Sequence, residues 1–170
     1  MTNEQFIQKL LCVMNHKTVY MWGTFGSPVT EELLMEKCNQ YPNWYISRAS
    51  KLRKLIGKDY FAFDCVGLIK GILWGWNGDR IKYHGGARYG ANSVPDINAD
   101  TMIARCKEVS KDFTNIQPGE LLWLSGHVGI YIGDGKVIES TPKWKNGVQI
   151  TSVEIRAWRK HGKLPWVKYE

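Results

Sequence analysis

The spacing of apolar positions changes character once along the chain, separating a helical first part from a stranded last part. In NEQFIQKLLCVMNHK (3–17), Phe6, Leu10 and Val13 recur at helical intervals, with Asn3 placed to cap the first turn. TVYMWGTFGSPVT reads as a short extended piece followed by a Gly/Pro turn. Thr30 is the N-cap of a second helix, EELLMEKCNQ, whose first turn carries two glutamates, and YPNW breaks it. SRASKLRKLIG is a third helical pattern, closed by Gly57. In FAFDCVGLIKGILWGW (61–76), Asp64 is a good N-cap and Val66, Ile69 and Leu73 form one stripe with Leu68 and Ile72 beside it, so a buried helix begins at or next to Cys65. Residues 77–98 are rich in Gly and Asn and read as a long surface loop, with a short helix near 100–106. From 116 onward alternation replaces the helical period. It predicts strands at 121–125, 127–132, 136–141, 147–153 and 165–169, joined by Gly-Asp-Gly, Lys-Asn-Gly and Gly-Lys-Leu-Pro turns. Helices first and antiparallel strands last predict an α+β fold.

The thiol at Cys65 has two readings. A cysteine ahead of an apolar helix packs as a small hydrophobe. A cysteine in a first helical turn also meets the positive end of the macrodipole, which lowers its pKa and makes it a nucleophile. Gly67 leaves room for something to approach the sulfur. A thiol nucleophile needs a base, and the base needs an orienting group. Of the four histidines, His16 ends the first helix, while His84 in the Gly-rich loop and His161 in a basic turn read as solvated. His127 differs: it opens the strand of SGHVGIYIG, where Val128, Ile130 and Ile132 make the apolar face and His127, Gly129 and Tyr131 the opposite one.

Register tests the third member. With a three-residue loop Gly133-Asp134-Gly135, Gly129 pairs with Glu139 and His127 with Thr141, so His127 and Glu139 share a face as diagonal neighbours roughly 7 Å apart. A two-residue Asp-Gly turn puts the carboxylate on the other face. Glu139 then orients His127, or is a solvated strand carboxylate.

These stretches carry a resemblance. FDCVGLI, then PGELLWLSGHVGIYIGDGKVIEST, then a closing GKLPWVKY resemble the NlpC/P60 cysteine peptidases. That pattern has a Cys at a helix start after Asp, a His opening a strand, and a polar residue twelve positions later, here Glu139, where the family often has His. The resemblance implies a papain-like α+β core with the nucleophile helix packed on an antiparallel sheet. It implies a peptidoglycan hydrolase in which Cys65, His127 and Glu139 cut a stem-peptide amide, with D-glutamyl–diamino acid as the expected bond. It also matches VYMWGTFG to a Tyr-x-Trp-Gly segment, so Tyr20 lines the cleft, with Trp22, Asp64 and Ser125 as further oxyanion or substrate-binding residues. Forty-four positions separate Tyr20 from Cys65, so a helical insertion at about 29–60 is expected to flank the groove. No metal or organic cofactor is implied. N-acetylmuramoyl-L-alanine amidase chemistry of the CHAP type and a non-catalytic wall-binding module are the alternatives.

Composition adds limits. The 170 residues suit one domain, 1–170. A net charge of +7 favours an anionic partner, in this setting anionic wall polymers, and the dispersed basic residues form no nucleic-acid motif. Eight Trp and eight Tyr exceed what the length needs; Trp22, Trp44 and Trp144 are candidate contacts for sugars or stem peptides. Cys12, Cys38 and Cys106 read as small buried residues, and no Cys/His spacing fits zinc. No signal peptide or membrane span is expected, which fits a phage-released endolysin or a module of a longer secreted protein.

Overall fold

The computed structural model describes residues 1–170. Helix α1 (Asn3–Val13) buries Phe6, Ile7, Leu10 and Val13. Its N-cap is Thr2 rather than Asn3, because Thr2 and Gln5 close a reciprocal capping box: the Thr2 hydroxyl accepts from the Gln5 N–H at 3.2 Å and the Gln5 side chain accepts from the Thr2 N–H at 2.9 Å. Strands β1 (Lys17–Tyr20) and β2 (Phe25–Pro28) follow, then α2 (Glu31–Gln40), capped by Thr30 as expected. YPNW does not simply break the chain. Pro42 starts a one-turn helix, α3 (Pro42–Tyr45), where its missing N–H costs nothing. The third helical pattern shrinks to α4 (Ala49–Arg53), with turns running on to Gly57.

Strand β3 (Tyr60–Phe63) has no counterpart in the sequence pattern, since four apolar residues directly before a helix show no period of their own. It lies between β1 and β2, parallel to the first and antiparallel to the second. The pairing sets Tyr20 opposite Phe63, two residues before Cys65. Helix α5 (Cys65–Leu73) is buried on every side. It can be so because Gly67 and Gly71, one turn apart, let the backbone entering β2 cross it: a Cβ on Gly67 would sit 1.9 Å from the Thr24 carbonyl oxygen, and one on Gly71 2.4 Å from that of Phe25. The room at Gly67 is thus filled by the protein's own backbone, not left open beside the thiol.

After the loop comes α6 (Ala99–Arg105), then strands β4 (Lys107–Ser110), β5 (Leu121–Leu124), β6 (His127–Gly133), β7 (Lys136–Thr141), β8 (Gly147–Ser152) and β9 (Lys160–Lys163). They form one antiparallel sheet in the order β4-β9-β5-β6-β7-β8. The expected strand at 165–169 is absent. The last strand lies earlier, at Lys160–Lys163, and runs into the GKLP segment read as a turn; Pro165, which lacks an N–H, starts the turn that ends it, and Lys168 makes only a single bridge to Thr2. Helix α5 packs on β6 and β7 within a core of 26 buried residues that includes Leu68, Ile69, Ile72, Val128, Ile130 and Ile138. The Ser140 hydroxyl donates to the Phe63 carbonyl at 2.8 Å and ties the two sheets together just ahead of Cys65. No helix is long and apolar enough to cross a membrane.

Candidate active site

Asp64 holds the start of α5 with both carboxylate oxygens. Oδ1 accepts from the Gly67 N–H at 2.6 Å and Oδ2 from the Gly23 N–H at 2.8 Å. The residue is therefore a clasp between the β1–β2 turn and the nucleophile helix, with both oxygens already engaged, and not a free substrate ligand. Burial pushes its carboxyl up, opposed by Lys70 and these two N–H groups.

Cys65 is buried, and its sulfur reaches a cavity of about 700 Å³. Tyr20, Trp22 and Asp64 line the same cavity, so the β1–β3 pairing closes the 44-residue gap in sequence. Burial pushes the Cys65 thiol up to about 12, and the Asp64 charge adds to this; the N–H groups of Val128, Val66 and Cys65 pull the other way and do not win. Burial thus opposes the lowering expected of the helix terminus, because desolvation of a thiolate acts against half a unit of dipole charge shared with a neighbouring carboxylate. Burial likewise holds the Tyr20 hydroxyl protonated, with Cys65 and Asp64 adding to the effect.

His127 opens β6 immediately after a two-residue turn. The peptide on either side of it meets the thiol: the Gly126 carbonyl lies 3.9 Å from Sγ and the Val128 N–H faces the sulfur. Asp100, in the first turn of α6, pins this turn by accepting from the Gly126 N–H at 2.9 Å and the Trp123 indole N–H at 2.8 Å. His127 Nε2 donates to Glu139 Oε1 at 2.9 Å; a carboxylate only accepts, so this nitrogen carries the hydrogen. Nδ1 makes no hydrogen bond within the protein.

His127 and Glu139 share a face, but not by the expected loop. The turn is the two-residue Asp134-Gly135, with Gly133 paired to Lys136, and an irregularity between Tyr131 and Gly133 adds one residue to β6. Beyond it Tyr131 pairs with Val137 and Ile130 with Ile138, the register that a three-residue loop would have set. A bulge does the work assigned to the longer loop.

Glu139 is fully buried and has three donors. Besides His127, the Thr151 hydroxyl donates to Oε2 at 2.6 Å and Arg156 Nε donates to Oε1 at 2.7 Å. Burial raises its carboxyl, but these bonds outweigh it and hold the group below the usual carboxylate range. Arg156 also donates through Nη2 to the Thr141 hydroxyl at 3.0 Å, and its guanidinium lies 5.0 Å from the Trp144 ring and 5.9 Å from that of Trp158. Trp158 stacks on His127 with ring centroids 5.6 Å apart and planes at 20°. Sequence reasoning missed Arg156, Thr151, Trp158 and Asp100. Only the alternation of Arg156 and Trp158 in SVEIRAWRK hinted at a shared face, with nothing to say against what.

Other expectations are corrected. Ser125 is exposed in the β5–β6 turn and does not line the cavity; Gly126 does. His84 is not solvated: it stacks on Phe25 at 4.4 Å, meets the Ser27 hydroxyl at 3.2 Å and lines the cavity, its pKa lowered by burial. His161 is buried in β9, between the Glu120 carboxylate and the Asp112 carbonyl. Cys12 is exposed, on the outer side of α1. Trp44 packs on Tyr20 at 5.8 Å and against the core, while Trp22 and Trp144 are exposed. No group of three or more His, Cys, Asp or Glu side chains is arranged to hold a metal.

The model of the NlpC/P60 family matches residues 51–166. Among solved structures, the P60 domain of antigen MAP1204 from M. avium subspecies paratuberculosis aligns over 95% of this chain and 96% of its own, with a TM-score of 0.53 and 14% identity. NlpC2 from Trichomonas vaginalis aligns over 94% of this chain with a TM-score of 0.50 and 15% identity. This chain spans about half of that protein, 46% of its length. These likenesses establish the fold. No curated protein matches the sequence. A family match over most of the chain leaves one conclusion: the chain belongs to the NlpC/P60 family, generally one of cysteine peptidases acting on cell-wall peptidoglycan.

Proposed function

We propose that this protein is a peptidoglycan endopeptidase that cuts a stem-peptide amide, with D-glutamyl–diamino acid as the bond, using Cys65 as nucleophile, His127 as base and acid, and Glu139 as the group that orients His127. One observation carries the reading. The thiol heads a buried helix and lines a cavity, the carbonyl of Gly126 lies 3.9 Å from it, and the next residue, His127, is held in a chain of hydrogen bonds, His127–Glu139–Arg156.

The raised thiol pKa shapes the mechanism. The sulfur gives its proton to His127 Nδ1 as it attacks the amide carbonyl, rather than waiting as a preformed thiolate. The oxyanion draws on the N–H groups at the start of α5 and on the protonated Tyr20 hydroxyl. His127 then protonates the leaving amine, the C–N bond breaks, and a thioester remains on Cys65. Water, deprotonated by His127, attacks the thioester, releasing a carboxylate product and the thiol. No cofactor enters these steps. Residues 1–170 act as one catalytic domain, and residues at about 29–60 are an insertion flanking the groove. The charge of +7 speeds encounter with anionic walls.

Mass spectrometry of fragments released from purified peptidoglycan by wild type and Cys65→Ala tests this. Cuts between D-glutamate and the diamino acid that vanish in the variant support it. Release of whole stem peptides from muramic acid reassigns the enzyme as an amidase. Wall binding without release makes it a binding module.

A further inference from the structure

Two cations, Lys70 and Lys37, line the cavity among four carboxylates, and they differ in how they are paired. Asp64 takes two backbone N–H groups, and Asp100 takes the Gly126 N–H and the Trp123 indole. Lys70, on α5, is paired with Asp96, whose other oxygen accepts from the Tyr89 hydroxyl at 2.9 Å. Glu36 takes the Tyr83 hydroxyl on one oxygen and the Gln40 amide on the other. Lys37, on α2, is left. Its residue is 8% exposed, and its Nζ donates only to the neutral Gln40 carbonyl oxygen at 3.0 Å. The nearest carboxylate oxygen, on Glu36, is 3.9 Å away, beyond hydrogen-bond range.

Glu36, Asp64 and Asp96 act on it only from beyond hydrogen-bond range, so an ammonium this withdrawn from water lacks a direct counter-ion and retains donors with no partner. It lines the same cavity as Cys65, from a helix outside the segment the family model matches. We infer that Lys37 is the binding residue for a carboxylate of the substrate, held in the cavity beside the reacting amide. This rests on the peptidase reading above. Stem peptides offer two carboxylates of this chemistry: the α-carboxylate of the D-glutamyl residue and the terminal carboxylate beyond the scissile bond.

Two measurements separate this inference from the reading it rests on. The first needs no turnover: rates of alkylation mapped to Cys65 by anionic iodoacetate and neutral iodoacetamide. The iodoacetate-to-iodoacetamide ratio should fall about three- to tenfold in Lys37→Met and be kept in Lys37→Arg, from the Coulomb attraction of one charge across the cavity. An equal ratio in wild type and Lys37→Met overturns the subsite. Lys37→Gln serves as the second uncharged variant should Lys37→Met fold poorly. The second is kcat/KM on paired peptides in which each carboxylate is replaced by a carboxamide. Wild type should prefer one carboxylate form about 10- to 100-fold, as for a charged hydrogen bond, and Lys37→Met should erase that preference through KM. The amidated position that loses cleavage names the source. A ratio that depends on Lys37 with no cleavage of any stem peptide sustains the subsite and sinks the peptidase reading. Cleavage indifferent to both amidation and Lys37 does the reverse.

Discussion

Replacing Arg156 with methionine removes the one permanent cation facing the buried Glu139 carboxylate. Arg156 supplies the Nε bond to Oε1 at 2.7 Å and the Nη2 bond to Thr141 at 3.0 Å, with its side chain 9% exposed and that of Glu139 fully buried. Breaking one partner of such a pair costs about 3–5 kcal/mol. His127 and Thr151 still donate to Glu139, which places the expected loss at the low end, about 3 kcal/mol. For a chain of this size that is a fall in Tm of roughly 6–12 °C. The pH dependence is specific. The folded-state pKa of Glu139 is depressed, so its stabilisation is present above the ordinary carboxylate value and is lost as pH falls from there through the folded value. The variant weakens that depression. The gap between wild type and Arg156→Met in urea melts should therefore be full at pH 7 and narrow below about pH 4. The double variant Arg156→Met/Glu139→Gln should recover part of the loss, since no buried carboxylate is then stranded. A gap under about 1 kcal/mol at pH 7, or one that stays constant down to pH 3.5, would refute the assignment of Arg156 as counter-charge to Glu139.

Three further outcomes are expected. Alkylation of Cys65 by iodoacetamide should climb steadily with pH above 8, in line with a thiol held up near 12; a plateau by pH 7 would mean a preformed thiolate. Tyr20→Phe should lower kcat about 10- to 100-fold while leaving KM and Tm nearly unchanged, because the ring stays in the core and only the hydroxyl is lost; unaltered kcat removes Tyr20 from the oxyanion site. Gly67→Ala should cost more than about 2 kcal/mol in chemical denaturation, because the new Cβ meets the Thr24 carbonyl at 1.9 Å and backbone must move; a neutral variant would mean that β2 yields freely.

Much of the site was legible because it is local. The Asp64 cap, the helix starting at Cys65 and the strand opening at His127 each depend on residues within a turn or a few positions, where caps and periodicity act. The shared face of His127 and Glu139 follows from the two-residue period of a strand, although a bulge rather than a longer loop sets the register. The last strand was misplaced because a partner, not its own pattern, makes KHGK extended: its residues pair with β5 and β4 on either side.

What the sequence alone determined was the order of the elements, the cysteine and histidine that head two of them, and through them the family. What only the tertiary structure decided was the electrical environment. Tyr20 reaches Cys65 through a parallel pairing across 44 residues, Arg156 neutralises Glu139, and Lys37 arrives in the cavity with no carboxylate oxygen closer than 3.9 Å. The protonation of the thiol follows from burial, which no local pattern encodes. Charges and desolvation act through space with no period along the chain, so they become visible only once the fold has set the distances.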